Sequence, residues 1–200
     1  MQWIKKVYEA AGLTQYPLGK HFAELQSQFG GSVVLCLDVS GSMAADRLPQ
    51  AKEGCRRFLT EALAAGYSVA GLLWHHDVEG YTELDRDRCA MDQLFAGARA
   101  GGSNDIVPAL HVSERMLVGR TGDRVIAIFG DGDLGDPASA RREANRIASQ
   151  GIRVITCGLG DASAEELSAI STETDHVARV ARQENIADSI ADMARGLRRK

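Results

Sequence analysis

Four stretches of the chain are almost uninterruptedly apolar: 32–37 (SVVLCL), 68–75 (SVAGLLWH), 124–129 (RVIAIF) and 152–157 (IRVITC). Continuous rather than alternating apolar runs are what a parallel sheet covered on both faces requires of its strands. A fifth strand is expected at 176–180. Between the runs the spacing turns helical. Leu48, Ala51, Cys55, Phe58, Leu59, Ala62 and Leu63 share one stripe after Asp46, which is placed to cap that helix, and Pro49 fits only its first turn. A helix over about 137–150 buries Ala140, Ala144, Ile147 and Ala148, with Gly151 suited to its C-terminal cap. A last helix aligns Ile186, Ile190, Met193, Ala194 and Leu197. The segment 76–84 (HDVEGYTEL) predicts a tight turn into a short edge strand. Together these elements predict an α/β fold: a three-layer, doubly wound, mostly parallel sheet with one antiparallel edge strand.

The first thirty residues fit this alternation less well. Trp3, Ile4, Val7, Tyr8 and Ala11 have the spacing of a short amphipathic helix, and 21–29 of a second. They are read as a helical N-terminal extension, 1–30, on a domain spanning 31–200.

Composition narrows the setting. A hydrophobic share of 44% in 200 residues can fill one sizeable core. The net charge of −4, from 23 basic and 27 acidic residues, argues against a broad nucleic-acid surface. Basic residues gather only at Arg195, Arg198, Arg199 and Lys200, as a solvated helix end would place them. No stretch reaches the roughly 18 to 20 apolar residues of a membrane span, and the first residues lack a signal-peptide core. A cytoplasmic protein with no membrane partner is the expectation. Cys36, Cys55 and Cys157 fall in apolar patterns, Cys89 stands alone, and no CxxC pair occurs. That usage predicts buried thiols rather than a disulfide framework or a zinc site.

Polar residues concentrate where strands end. In open α/β sheets ligands bind beyond the carboxyl ends of the strands, near the point where strand order reverses. The first run ends in Asp38-Val39-Ser40-Gly41-Ser42-Met43, and the third in Phe129-Gly130-Asp131-Gly132-Asp133. Gly101-Gly102-Ser103-Asn104-Asp105 lies between them and opens a helix. A carboxylate and two hydroxyls at i, i+2 and i+4 point three oxygens at one spot where a strand turns, and Gly41 lets the turn tighten. Hard oxygen donors with few charges suit Mg²⁺, which keeps several waters, and Asp131 would complete the cage. Two carboxylates about 5 Å apart repel by roughly 3 kcal/mol at an effective dielectric near 20, and a divalent cation reverses that sign.

Asp38-Val39-Ser40-Gly41-Ser42, with its SGSM ending, resembles the DxSxS signature of the metal-ion-dependent adhesion site in von Willebrand factor type A domains. The apolar strand before it and Asp131-Gly132 after a later strand are similar too, and the likeness covers about residues 31–200. It implies an intracellular-type member in which Ser40 and Ser42 touch Mg²⁺ or Mn²⁺ directly. Asp38 and Asp131 would act partly through water. A partner protein would supply an Asp or Glu to the open coordination position, and the domain would be an adaptor or subunit of a larger assembly, including ones with AAA-type ATPases. One element departs from the family, which usually has a threonine after the glycine pair. Here Ser103 follows Gly101-Gly102, whereas counting back from Ala109-Leu110 puts Asn104 in that place. Ser103 is the expected ligand, because a hydroxyl preserves the donor type; both residues could instead cap the helix opening near Asp105.

Rival chemistries fit less well. A haloacid-dehalogenase-like aspartate would need an acid where Ser40 stands, and a nucleophile elbow would need GxSxG. There is no GxxxxGK[ST] loop, and the Asp131-to-Asp136 segment lacks the spacing of a calcium-binding EF-hand, leaving Asp133 and Asp136 as an acidic rim. His75 and His76 read as strand neighbours on opposite faces, one packed and one at the rim. No catalytic role is expected. A metal-assisted hydrolase and a metal-free scaffold are the alternatives.

Overall fold

The computed structural model describes residues 30–172, 179–182, 185–194 and 197. Six strands, β1 (Ser32–Asp38), β2 (Ser68–Trp74), β3 (Val78–Tyr81), β4 (Arg124–Gly130), β5 (Arg153–Leu159) and β6 (Arg179–Ala181), form one sheet in the order β3-β2-β1-β4-β5-β6. All neighbours run parallel except β3, which is antiparallel to β2. The fold is therefore the doubly wound α/β sheet, with the one antiparallel edge strand, that the pattern predicts.

Among the described residues six helices cover it: α1 (Arg47–Ala64), α2 (Cys89–Gly97), α3 (Val107–Leu117), α4 (Pro137–Ser149), α5 (Asp161–Ser168) and α6 (Ile186–Met193). Two separate cores explain the uninterrupted apolar runs. Val33, Leu35 and Leu37 of β1 join α1, α2 and α6 on one face. Val34 and Cys36 join α3 and α4 on the other. A strand caught between two helical layers has no solvent side on which to place polar residues.

Several local expectations need correction. Asp46 precedes α1, but its side chain makes no capping hydrogen bond. Asp136, expected in an acidic rim, is exposed and also caps α4 by accepting the Ala138 N–H at 3.0 Å. Gly151 does close that helix in the left-handed conformation, φ 74°. β5 starts one residue later than expected and runs on to Leu159. Residues 176–178 of the fifth expected strand, and nearly all of the expected N-terminal extension, lie outside the described residues. Cys36, Cys55 and Cys157 are buried and Cys89 is exposed, none of them in a disulfide. Among the described residues no helix is long and apolar enough to cross a membrane.

Because β1 pairs with β2 on one side and β4 on the other, the chain's two halves wind outward from β1. The carboxyl ends of β1 and β4 border the crevice where the order reverses, and Asp38 and Asp131 stand there.

Candidate metal centre

Asp38 ends β1 fully buried, and the chain turns immediately after it. The turn is held by the Ser40 N–H, which donates to Asp38 Oδ1 at 2.7 Å. A short 3₁₀ segment, Gly41–Met43, follows. It sets Ser40 Oγ and Ser42 Oγ 2.9 Å apart, Ser40 buried and Ser42 exposed. The Ser42 hydroxyl donates to Asp131 Oδ2, and the Asp131 N–H donates to Asp38 Oδ2 at 3.3 Å. Asn104 closes the ring by donating from Nδ2 to Asp38 Oδ2 at 3.4 Å.

Asp38, Ser40, Ser42, Asn104 and Asp131 are thus one connected cluster. Ser103 is exposed and makes no hydrogen bond among the described residues, so it is Asn104 that the third loop turns inward. Neither caps α3. Ahead of that helix, Asp105 Oδ1 accepts the N–H of its first residue, Val107, at 3.0 Å.

The third loop is pinned by backbone bonds to both neighbouring strand ends. Gly101 donates to the Val39 carbonyl at 2.8 Å, Gly41 to the Gly102 carbonyl at 3.1 Å, and Asp105 to the His75 carbonyl at 2.8 Å. Gly102 sits at φ 80°, and a β-carbon there would meet the rings of His75 and His76 at 3.2 Å. Those rings stack, centroids 4.4 Å apart and 11° from parallel. β2 ends at Trp74, so His75 and His76 occupy a turn and the opposite-face expectation fails. His75 Nδ1 accepts the Asp77 N–H at 3.1 Å.

Sequence reasoning missed three supports. Ser163, on α5, donates to the Asp131 carbonyl. Arg47 reaches the Ser42 carbonyl through Nη1 at 3.0 Å. Trp74, paired in register with Asp38, sends its indole to Gly130, where a β-carbon would meet Trp74 Cζ2 at 3.2 Å and Asp38 Oδ2 at 3.0 Å. The apolar run around Trp74 gave no sign of this last role, since a core tryptophan is unremarkable in a buried strand.

Burial pushes the Asp38 carboxyl up to about 7. The Ser40 amide opposes that rise, and the nearby Asp131 carboxylate adds to it. A cation would relieve both the desolvation and the repulsion. Among the described residues no three His, Cys, Asp or Glu side chains are placed to hold a metal ion between them. What converges is two carboxylates, two hydroxyls and a side-chain amide, an all-oxygen donor set once the amide presents its oxygen. Such a set fits a hard cation that retains waters and does not fit zinc at a Cys/His site.

An open, doubly wound sheet with a polar cluster at its reversal point is the architecture of a ligand-binding α/β domain. The model of the von Willebrand factor type A domain matches residues 32–192, and the chain belongs to that family, a common protein-interaction module. Solved structures share the fold at low identity. The chain is similar to the von Willebrand domain of the type V pili tip protein Mfa5 from Porphyromonas gingivalis, at 14% identity and TM-score 0.73, covering 86% of this chain and 98% of that one. It is similar to BatB from Bacteroides thetaiotaomicron, at 20% identity and TM-score 0.64, covering 83% and 100%. The pilus adhesin SpaC from Lactobacillus rhamnosus GG matches at 14% identity and TM-score 0.68, but the match takes in 84% of this chain and only 30% of the adhesin. No curated protein matches this sequence.

Proposed function

We propose that the domain binds a partner protein through a divalent cation, Mg²⁺ or Mn²⁺, held at this cluster. The supporting observation is the convergence of Asp38, Ser40, Ser42 and Asp131 at the reversal point, with the Asp38 carboxyl buried beside a second acid. Ser40 and Ser42 would hold the ion, with Asp38 and Asp131 as direct or water-mediated ligands and Asn104 or Ser103 supplying the third loop. The hydroxyls are neutral, so the bound ion would offer residual positive charge to a carboxylate from the partner. The Ser42–Asp131 and Ser40–Ser42 hydrogen bonds would give way to it.

The role is that of an adaptor or subunit of a larger cytoplasmic assembly, an AAA-type ATPase complex among the candidates, and not that of an enzyme. Ser40 and Ser42 are committed to the cluster, and neither has a histidine hydrogen-bonded to it among the described residues.

Calorimetric titration with Mg²⁺, followed by affinity capture with and without EDTA, tests this reading. Mg²⁺ binding lost in Asp38→Ala, and a partner released by EDTA, are the expected results. A partner held equally well in EDTA would favour a metal-free scaffold, and metal-dependent ester hydrolysis lost in Ser40→Ala would favour a hydrolase.

A further inference from the structure

Trp74 is 1% exposed, and its indole Nε1–H has no hydrogen-bond partner among the described residues. Burying an N–H without an acceptor is costly, and such groups in native folds call for an explanation. The surroundings narrow it. Trp74, Asp38 and Gly130 lie side by side on adjacent strands at the carboxyl edge, with β1 between β2 and β4. Trp74 Cζ2 and Asp38 Oδ2 both border the empty β-carbon position of Gly130, so the indole passes beside the Asp38 carboxyl to reach the next strand. Nε1 is only two bonds from Cζ2. Trp74 belongs to a buried apolar cluster with Ile106, Leu110 and Leu134, side chains that carry no acceptor.

We propose that Trp74 is a positioning residue of the metal centre: in the cation-loaded site its indole N–H hydrogen-bonds to the Asp38 carboxylate, directly or through one buried water. The inference rests on the metal reading above. Asp38 Oδ1 already has a short bond from the Ser40 amide, whereas the bonds to Oδ2 from Asp131 and Asn104 are long, 3.3 Å and 3.4 Å. An oxygen so weakly held has capacity for another donor. Outer donors of this kind fix the orientation of a ligating carboxylate, and their loss commonly lowers metal affinity about 10-fold or more. Gly130 keeps the space between the two groups open.

The chain has two tryptophans, Trp3 and Trp74, so a ¹H–¹⁵N spectrum of the full chain shows two indole resonances, and Trp74→Phe assigns them by deletion. Mg²⁺ should move the Trp74 Nε1–H resonance downfield and slow its exchange with solvent. Asp38→Ala should abolish both changes. Trp74→Phe, which keeps an aromatic ring, should bind Mg²⁺ about 10-fold more weakly by calorimetry. Binding heat with an unmoved Trp74 resonance and an unchanged affinity in Trp74→Phe would overturn this inference and leave the metal reading standing. Absence of binding heat in the wild type would overturn both.

Discussion

Raising the pH should destabilise the metal-free domain across a range where most of its acids are already ionised. Asp38 is buried at the end of β1 and its carboxyl is pushed up to about 7 from the 3.8 of an ordinary aspartate. Between those values the folded state holds a proton that the unfolded state has lost, so folding stability declines as pH rises through the window and levels off above it. At 1.36 kcal/mol per unit, the full difference of roughly three units is about 4 kcal/mol. Some 2 kcal/mol of it would be lost between about pH 5.5 and pH 7.5. For a domain of this size that amounts to a fall in Tm of about 4–8 °C. The acids held below their ordinary values, Glu53, Asp85, Asp92, Glu114, Asp136 and Glu143, owe this to arginine side chains, backbone amides and a serine hydroxyl. Their stabilisation is lost only as pH falls below the ordinary carboxylate range, outside the window. Thermal melts of wild type and Asp38→Asn in EDTA, at matched pH, isolate the Asp38 carboxyl by difference. Saturating Mg²⁺ should restore the wild type at the upper pH by favouring the ionised form. Parallel curves for wild type and Asp38→Asn would refute the reasoning.

Two further outcomes follow from the same geometry. Gly130→Ala places a β-carbon 3.0 Å from Asp38 Oδ2 and 3.2 Å from Trp74 Cζ2. The overpacking should cost about 1–3 kcal/mol in chemical denaturation and weaken Mg²⁺ binding in calorimetry, whereas an unaffected affinity would mean that the carboxylate does not matter there. Asn104→Ala should weaken Mg²⁺ binding more than Ser103→Ala, since Asn104 is the side chain turned towards Asp38. The reverse order would show that the loop rearranges around the ion.

The fold was legible because two-sided burial writes itself as unbroken apolar runs. β1, β2, β4 and β5 could be found that way, and the order of helices between them left few topologies open. α2 gave too little to see, since its nine residues bury only Met91 and Phe95. Caps were harder to read than cores. Asp46 and Asp136 both stand just before a helix, yet only Asp136 has the extended backbone, φ −99° and ψ 101°, that aims a side chain at the helix amides. Asp46 is itself helical, φ −77° and ψ −12°, with Ala45 before it in the left-handed region. Asp38, Ser40, Ser42 and Asp131 were recoverable because spacing along one strand end and a second strand end both point to the same edge. The choice between Ser103 and Asn104 was not. It depends on how Gly101 and Gly102 are pinned to Val39 and Gly41, bonds between residues some sixty positions apart in the chain.

The manner in which a partner is held can be argued from charge alone. Among the described residues Asp46, Asp77, Glu79 and Asp133 are exposed on loops or at element ends around the carboxyl edge of the sheet. Such a rim repels polyanions, while a cation held largely by neutral hydroxyls attracts an anion at one point. One carboxylate, presented by a protein surface with basic residues around it, meets both conditions. Binding should therefore require divalent metal and weaken as salt screens the rim. It should disappear when the single partner Asp or Glu is replaced. An ordinary exposed ion pair is worth about 0–1 kcal/mol, so a substitution costing no more than that in the captured partner would show that its carboxylate is only a rim contact and does not reach the metal.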